Sequence, residues 1–227
     1  MIILLPPSEG KIDGGTMPPI KTLNENQAVM FERMETYSDD FDKLYGVKGS
    51  ALQRAVMANE NILSAATCKA IKRYSGVVYD GIDYATLDSD AKKRADERIY
   101  IVSALFGLIR ADTLIPNYKL KIDKLQAYKF WKPIIGKQLK EDFVIDLLPQ
   151  AHRKAVYYKD GIRVEFIYRV RGDKKHAGHA GKLIKGKFVR WLLQNDITNP
   201  DKMLAFDQDG FSGERVNNML IEFTKSV

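Results

Sequence analysis

Four apolar residues, Ile2–Leu5, open the chain and stop at Pro6 and Pro7, a pattern that predicts a short buried strand running into a polar loop over residues 8–19. Apolar runs at 77–79 and 143–148 predict two further buried strands, and residues 118–122 alternate as a half-buried strand does. Helical spacing predicts helices over 24–45, 50–74, 125–139 and 181–195, with Pro133 kinking the third or starting a second helix within it. Residues 89–108 read as the clearest helix, polar at first and continuously apolar from Ile99 onward. Two β-rich runs, 156–158 and 162–170, flank Lys159-Asp160-Gly161, and Asp-Gly in that setting predicts a β-hairpin near 156–170. No internal repeat or linker interrupts the pattern. The fold class expected is α/β, one domain over residues 1–227 with a central mixed sheet of buried strands flanked by helices.

Length and composition narrow the class without changing that picture. A chain of 227 residues with 45% hydrophobic and 29% charged residues buries a real core, which excludes disordered, collagen-like and coiled-coil proteins. Cys68 is the single cysteine, set in the helix-like run AATCKA, so it is expected as a small core residue in a reducing compartment. No basic segment precedes the first apolar run, and no stretch approaches the roughly 18 apolar residues of a membrane span. A cytoplasmic protein without a membrane partner is expected.

Charge is distributed unevenly. Residues 151–191 hold twelve Lys and Arg against Asp160, Glu165 and Asp173, while the remainder of the chain has 24 basic and 26 acidic residues. Such a concentrated surplus points to a polyanion, and counterion release makes the phosphate backbone of nucleic acid its commonest partner. On the helix after Gly181, apolar Ile184, Phe188, Trp191 and Leu192 define a packing face. Lys182, Lys187 and Arg190 fall mainly on the other side, with Lys185 at its edge. Together with Arg169, Arg171, Lys174 and Lys175 just upstream, these residues form the candidate DNA-binding surface. The bland alternative is a solvated helix face.

Other constellations are weaker. His176 and His179 have a spacing that two metal ligands can share, but Lys174 and Lys175 beside them would repel a cation, and no metal site or cofactor is inferred. Ser8 and Lys11 fit the S-x-x-K pattern of acyl-transfer enzymes, yet the companion motifs of that class are missing. Lys11 on a loop after a strand would equally meet an anionic ligand. Asp80 and Asp83 offer a carboxylate pair for acid–base work, or an ordinary turn.

Taken in order, LLPPSEGK, YSGVVYDGID, VSALFGLIRADTLIPNYKLKI, AYKFWKPII, VIDL and HAGKLIKGKFVRWLL resemble the YaaA family of bacterial peroxide stress proteins across nearly the whole chain. The resemblance implies a cytoplasmic α/β protein that binds duplex DNA and limits peroxide damage, attributed to less free iron. The polar positions it matches are Ser8, Lys11, Tyr79, Arg110, Tyr118, Trp131, Lys182, Lys185 and Arg190, with Gly81 and Gly186. It also implies a helix-hairpin-helix element, whose best candidate is the turn around Gly107. Ser8, Lys11, Tyr79, Arg110 and Tyr118 form a candidate pocket for a nucleotide or other anionic small molecule. That is the alternative function, with an Asp such as Asp80, Asp83 or Asp146 as acid or base.

Overall fold

Strands that are apolar on both faces must lie inside a sheet covered on each side, and in the computed structural model three of them lie side by side at its centre. The structure describes residues 1–37, 40–170, 173–176 and 178–226, leaving aside the side chains of 170, 175, 176 and 178–180. In chain order the elements are β1 (Ile2–Leu5), α1 (Glu25–Glu35), α2 (Phe41–Tyr45), α3 (Gly49–Glu60), β2 (Cys68–Lys69), α4 (Ala70–Arg73), α5 (Val77–Ile82), α6 (Ser89–Arg98), β3 (Ile99–Ser103) and β4 (Gly107–Arg110). There follow β5 (Leu114–Ile115), α7 (Ala127–Gln138), β6 (Phe143–Asp146), α8 (Gln150–Arg153), β7 (Asp160–Val170), β8 (Asp173–His176), α9 (Gly178–Gln194), β9 (Ser212–Asn217) and β10 (Leu220–Ser226).

The main sheet has the order β4-β3-β1-β6-β7-β10-β9, with β8 on β7, and β2 pairs with β5 in a separate small sheet. Strands β3, β1, β6, β7 and β10 run parallel, while β4, β8 and β9 are antiparallel to their neighbours. The mixed α/β architecture expected from the sequence is therefore the one observed. From β1 the chain reaches β3 on one side, and from β6 it reaches β7 on the other, so the connections leave adjacent strand ends in opposite directions. That divergence opens a crevice at the C-terminal ends of β1 and β6. Beyond Asp146, where β6 ends, β7 continues and takes β8 on the same edge.

Helix α9 packs on one face of this part of the sheet, against Phe166 of β7 and Phe223 of β10. Its apolar face, Ile184, Phe188 and Leu192, is buried as its periodicity predicts, and Phe188 packs within 5.2–5.7 Å of the rings of Phe166, Phe206 and Phe223. Full burial of each such ring contributes about 1.5–3 kcal/mol. Against α9 lies α5, and their crossing needs glycine on both sides. A methyl group on Gly81 would stand 2.5 Å from the Leu183 carbonyl oxygen, and one on Gly186 would collide with the Val78 carbonyl.

Several predicted elements take another form. Residues 77–79 belong to helix α5, because packing on α9 overrides the β preference of two valines. The run 89–108 is helix only to Arg98; its apolar part is β3, a central strand, followed by β4. The turn around Gly107 (φ 71°) thus joins two strands, under the ring of Trp131, and is not a helix-hairpin-helix. Residues 118–122 lie outside the sheet because the side chain of buried Asn59 replaces a neighbouring strand, donating to the Lys119 carbonyl at 2.9 Å and accepting from its N–H at 2.8 Å. The predicted helix over 50–74 ends at Glu60, and Cys68 is half-buried in β2. That over 24–45 divides into α1 and α2.

The hairpin expected near 156–170 is absent there. Asp160 and Gly161 begin β7, opposite Phe143 and Val144 of β6. Gly161 serves close strand approach: a Cβ there would lie 2.5 Å from the Val144 carbonyl oxygen. The hairpin is instead formed by β7 and β8.

Candidate functional site

The crevice at the ends of β1 and β6 is a cavity of about 1140 Å³. Pro6, Pro7, Ser8 and Glu9 leave β1 to form one wall, and the segment from Leu147 to Arg153 leaves β6 to form another. Arg163, Glu165 and Phe166 of β7, residues 76–79 at the start of α5, and Gly181, Lys182 and Lys185 of α9 complete it. Apolar surface from the prolines, Val77, Val78, Leu147, Leu148 and Phe166 therefore faces four cations, Arg153, Arg163, Lys182 and Lys185, and two carboxylates, Glu9 and Glu165.

A buried carboxylate organises the floor. Asp146, at the last position of β6, has no solvent exposure. Its Oδ1 accepts the Leu148 N–H at 2.7 Å, and its Oδ2 accepts Arg153 Nε at 2.7 Å and the Tyr158 hydroxyl at 3.1 Å. Arg153 also donates from Nη2 to the Leu148 carbonyl at 2.6 Å. The guanidinium is thus fixed on two sides, with its remaining N–H groups uncommitted to either partner. Burial, and then the Asp146 charge, hold the Tyr158 hydroxyl pKa well above its ordinary value, so it stays a donor. Glu165 stands 3.1 Å from Arg163 Nε and 3.8 Å from Arg153 Nη1. The Arg163 contact is an ion pair without a hydrogen bond, since Nε is buried and not aimed at the carboxylate.

Lys185 donates to the Leu147 carbonyl at 3.2 Å. Burial lowers its pKa, assisted by the nearby Arg153 charge and opposed by Asp146 and Glu165. Among the described residues neither Lys185 nor the exposed Lys182 has a carboxylate within ion-pair distance. Desolvation brings the imidazole of His152 down to about 4, against the weaker opposing pull of Asp123 and Glu9, and its buried Nδ1 has no hydrogen-bond partner. The cleft is cationic near neutral pH without any help from histidine.

Of the candidate pocket residues, Ser8 and Tyr79 line this cleft. The Tyr79 hydroxyl donates to the Pro6 carbonyl at 2.8 Å, and burial raises its pKa. Lys11 lies behind the Ser8 loop, donating to the Ser8 carbonyl at 3.1 Å and lying 4.4 Å from the Tyr118 ring centroid. Because it meets the backbone carbonyl and not the serine hydroxyl, the base-to-nucleophile contact of an S-x-x-K enzyme is missing. Burial, then the Lys119 charge, lowers the Lys11 pKa to about 7. Tyr118 is buried, bonded to the hydroxyls of Tyr74 (2.7 Å) and Ser103 (2.8 Å). Arg110 lies apart, opposite Tyr100 near the start of β3, and exposed in a bidentate pair with Asp112. Asp80 is exposed, and Asp83 ends α5 and accepts the Thr86 hydroxyl at 2.6 Å, so they make no catalytic pair.

The candidate DNA-binding residues divide in the same way. Lys182 and Lys185 face the cleft. Lys187 instead pairs with Asp209 at 2.8 Å, Lys174 pairs with Glu222 at 2.6 Å, and Arg190 donates to the Ile82 and Asp83 carbonyls at 3.0 and 2.9 Å. Arg169 is half-buried in β7 opposite Lys174. Arg171 and the side chains of Lys175, His176 and His179 lie outside what the structure describes. Asp146, His152, Arg153, Arg163 and Glu165 join the site without having been singled out for it together. The signal was present in VIDLLPQAHR, an apolar strand with an Asp at its end followed by a polar turn, the same logic that placed a ligand loop after β1.

Fold and cleft together define an open, mostly parallel α/β protein with a cation-lined crevice at the strand ends. The sequence pattern of the family described as peroxide stress protein YaaA matches residues 1–216, and the chain belongs to that family. It is 32% identical over 215 residues to a UPF0246 protein of Streptomyces coelicolor, covering 85% of this chain and 83% of that one. It is 33% identical over 217 residues to a UPF0246 protein of Corynebacterium glutamicum, covering 86% of each. Among the described residues no helix is long and apolar enough to cross a membrane.

Proposed function

We propose that this protein serves the peroxide response in the cytoplasm by binding the phosphate backbone of duplex DNA at the mouth of the cleft, limiting iron-dependent damage there. The family supports the stress role. What supports the ligand class is one observation: Lys182 and Lys185, free of carboxylate partners among the described residues, stand with Arg153 and Arg163 around one crevice. Phosphates draw on such groups because each contact releases condensed counterions.

This reading moves the DNA contact from the outer side of α9 to the cleft. Contacts to about three or four phosphates give a log–log salt slope of about −3 to −4. Retention of duplex DNA on a filter across a salt series measures it. The Lys182→Glu, Arg163→Gln double variant is expected to bind about 100-fold more weakly at low salt, with a shallower slope. Unchanged retention by that variant removes the cleft as the DNA site.

A further inference from the structure

We propose that the interior of the cleft is a pocket for a single nucleotide, a deoxynucleoside monophosphate unit supplied either free or by extrusion from DNA. The inference rests on the reading of this cleft as a phosphate site and concerns what lies behind its mouth. A backbone passing over a surface needs cations only at the rim. Here the cavity extends to about 1140 Å³ and its walls include Pro6, Pro7, Val78, Leu148 and Phe166, apolar surface that gains nothing from a phosphate and calls for a flat apolar partner.

Cations are placed at depth as well. Arg153 is fixed by the Asp146 carboxylate and the Leu148 carbonyl, and Lys185 by the Leu147 carbonyl, so both are ordered before a ligand arrives. In the lining, Arg153 and Arg163 lean on Asp146 and Glu165, Glu9 is held by Lys119 and Lys121, and His152 stays neutral, which leaves Lys182 and Lys185 without a carboxylate partner among the described residues. Two uncommitted lysines suit a single phosphate group and fall short of a triphosphate. Gln150 and Glu165 in the same lining offer polar groups that the edge of a base would satisfy. An acyl chain would leave those groups dry and unbonded, which makes a phospholipid the poorer fit.

The test uses the full chain and two parallel measurements. Calorimetric titration compares deoxynucleoside monophosphates with their unphosphorylated nucleosides and with inorganic phosphate. A duplex carrying a fluorescent adenine analogue that brightens on unstacking reports extrusion. At least one monophosphate is expected to bind about tenfold or more tightly than both its nucleoside and phosphate, with Lys185→Gln losing about tenfold. Val77→Trp, which fills the apolar side, is expected to lose a similar factor, its folding checked by thermal melting. Monophosphate binding without brightening identifies a free nucleotide as the occupant; brightening on duplex binding identifies an extruded one, and either result supports the pocket. Monophosphates that bind no better than inorganic phosphate, with no brightening, overturn it. If duplex retention persists in that case, the DNA reading survives alone. If monophosphates bind but duplex retention is absent, the DNA reading falls and the nucleotide pocket stands.

Discussion

The two long sides of α9 carry the same kind of side chain in different surroundings. Toward the cleft, Lys182 and Lys185 meet no carboxylate within ion-pair distance among the described residues, while their neighbour Arg153 is paired with Asp146 and shares Glu165 with Arg163. On the other side, Lys187 is held by both oxygens of Asp209 at 3.0 and 2.8 Å, and Arg190 caps the C-terminal carbonyls of α5 with Asp83 at 3.7 Å. The first side keeps its positive potential for a ligand. The second uses its cations to tie loops and helices together. A surplus of basic residues in a sequence therefore measures capacity for anion binding only after the internal partners are known.

The comparison is broken most forcefully at Asp146. Removing this carboxylate as Asp146→Ala leaves the Arg153 guanidinium without its buried partner, and loss of one member of such a pair costs about 3–5 kcal/mol. Urea unfolding should show the unfolding free energy lowered by that amount, and the folded fraction should bind duplex DNA weakly. A loss below about 1 kcal/mol would mean that Arg153 is not anchored from below.

A smaller effect separates the two sides by pH. The folded-state pKa of His152, about 4, lies below its ordinary 6.5, so on acidification the unfolded chain takes up that proton first. Its contribution to stability is complete above about pH 6.5 and is lost as the pH falls toward 4. His152→Asn is expected to flatten the fall in unfolding free energy across that window, compared with the unaltered chain. An unchanged profile would show that the imidazole titrates normally and that this wall of the cleft is wet.

The smallest effect is expected on the outer side. Lys187→Ala breaks a partly exposed pair with Asp209, and such pairs contribute about 0–1 kcal/mol. Thermal unfolding should shift little, and duplex retention should stay within about twofold of the unaltered chain. A large loss of DNA binding in this variant would return the contact surface to the outer face of α9.

What the sequence determined by itself is the local physics. The apolar runs at Ile2–Leu5 and Phe143–Asp146 are strands because residues with no polar face must be covered on both sides. The apolar face of α9 is buried because its spacing follows the helical turn. The family was legible too, in motifs spread along the whole chain. Only the tertiary structure decided which cations remain available, because Asp209, Glu222 and the end of α5 reach Lys187, Lys174 and Arg190 from distant parts of the chain. The same holds for Gly161, which the sequence presented as a turn and the sheet uses for close approach to Val144. It holds again for 118–122, whose alternation promised a strand until Asn59 supplied the hydrogen bonds a neighbouring strand would have made. Pairing across distance depends on which segments the sheet brings together, and periodicity within a segment carries no record of its partner.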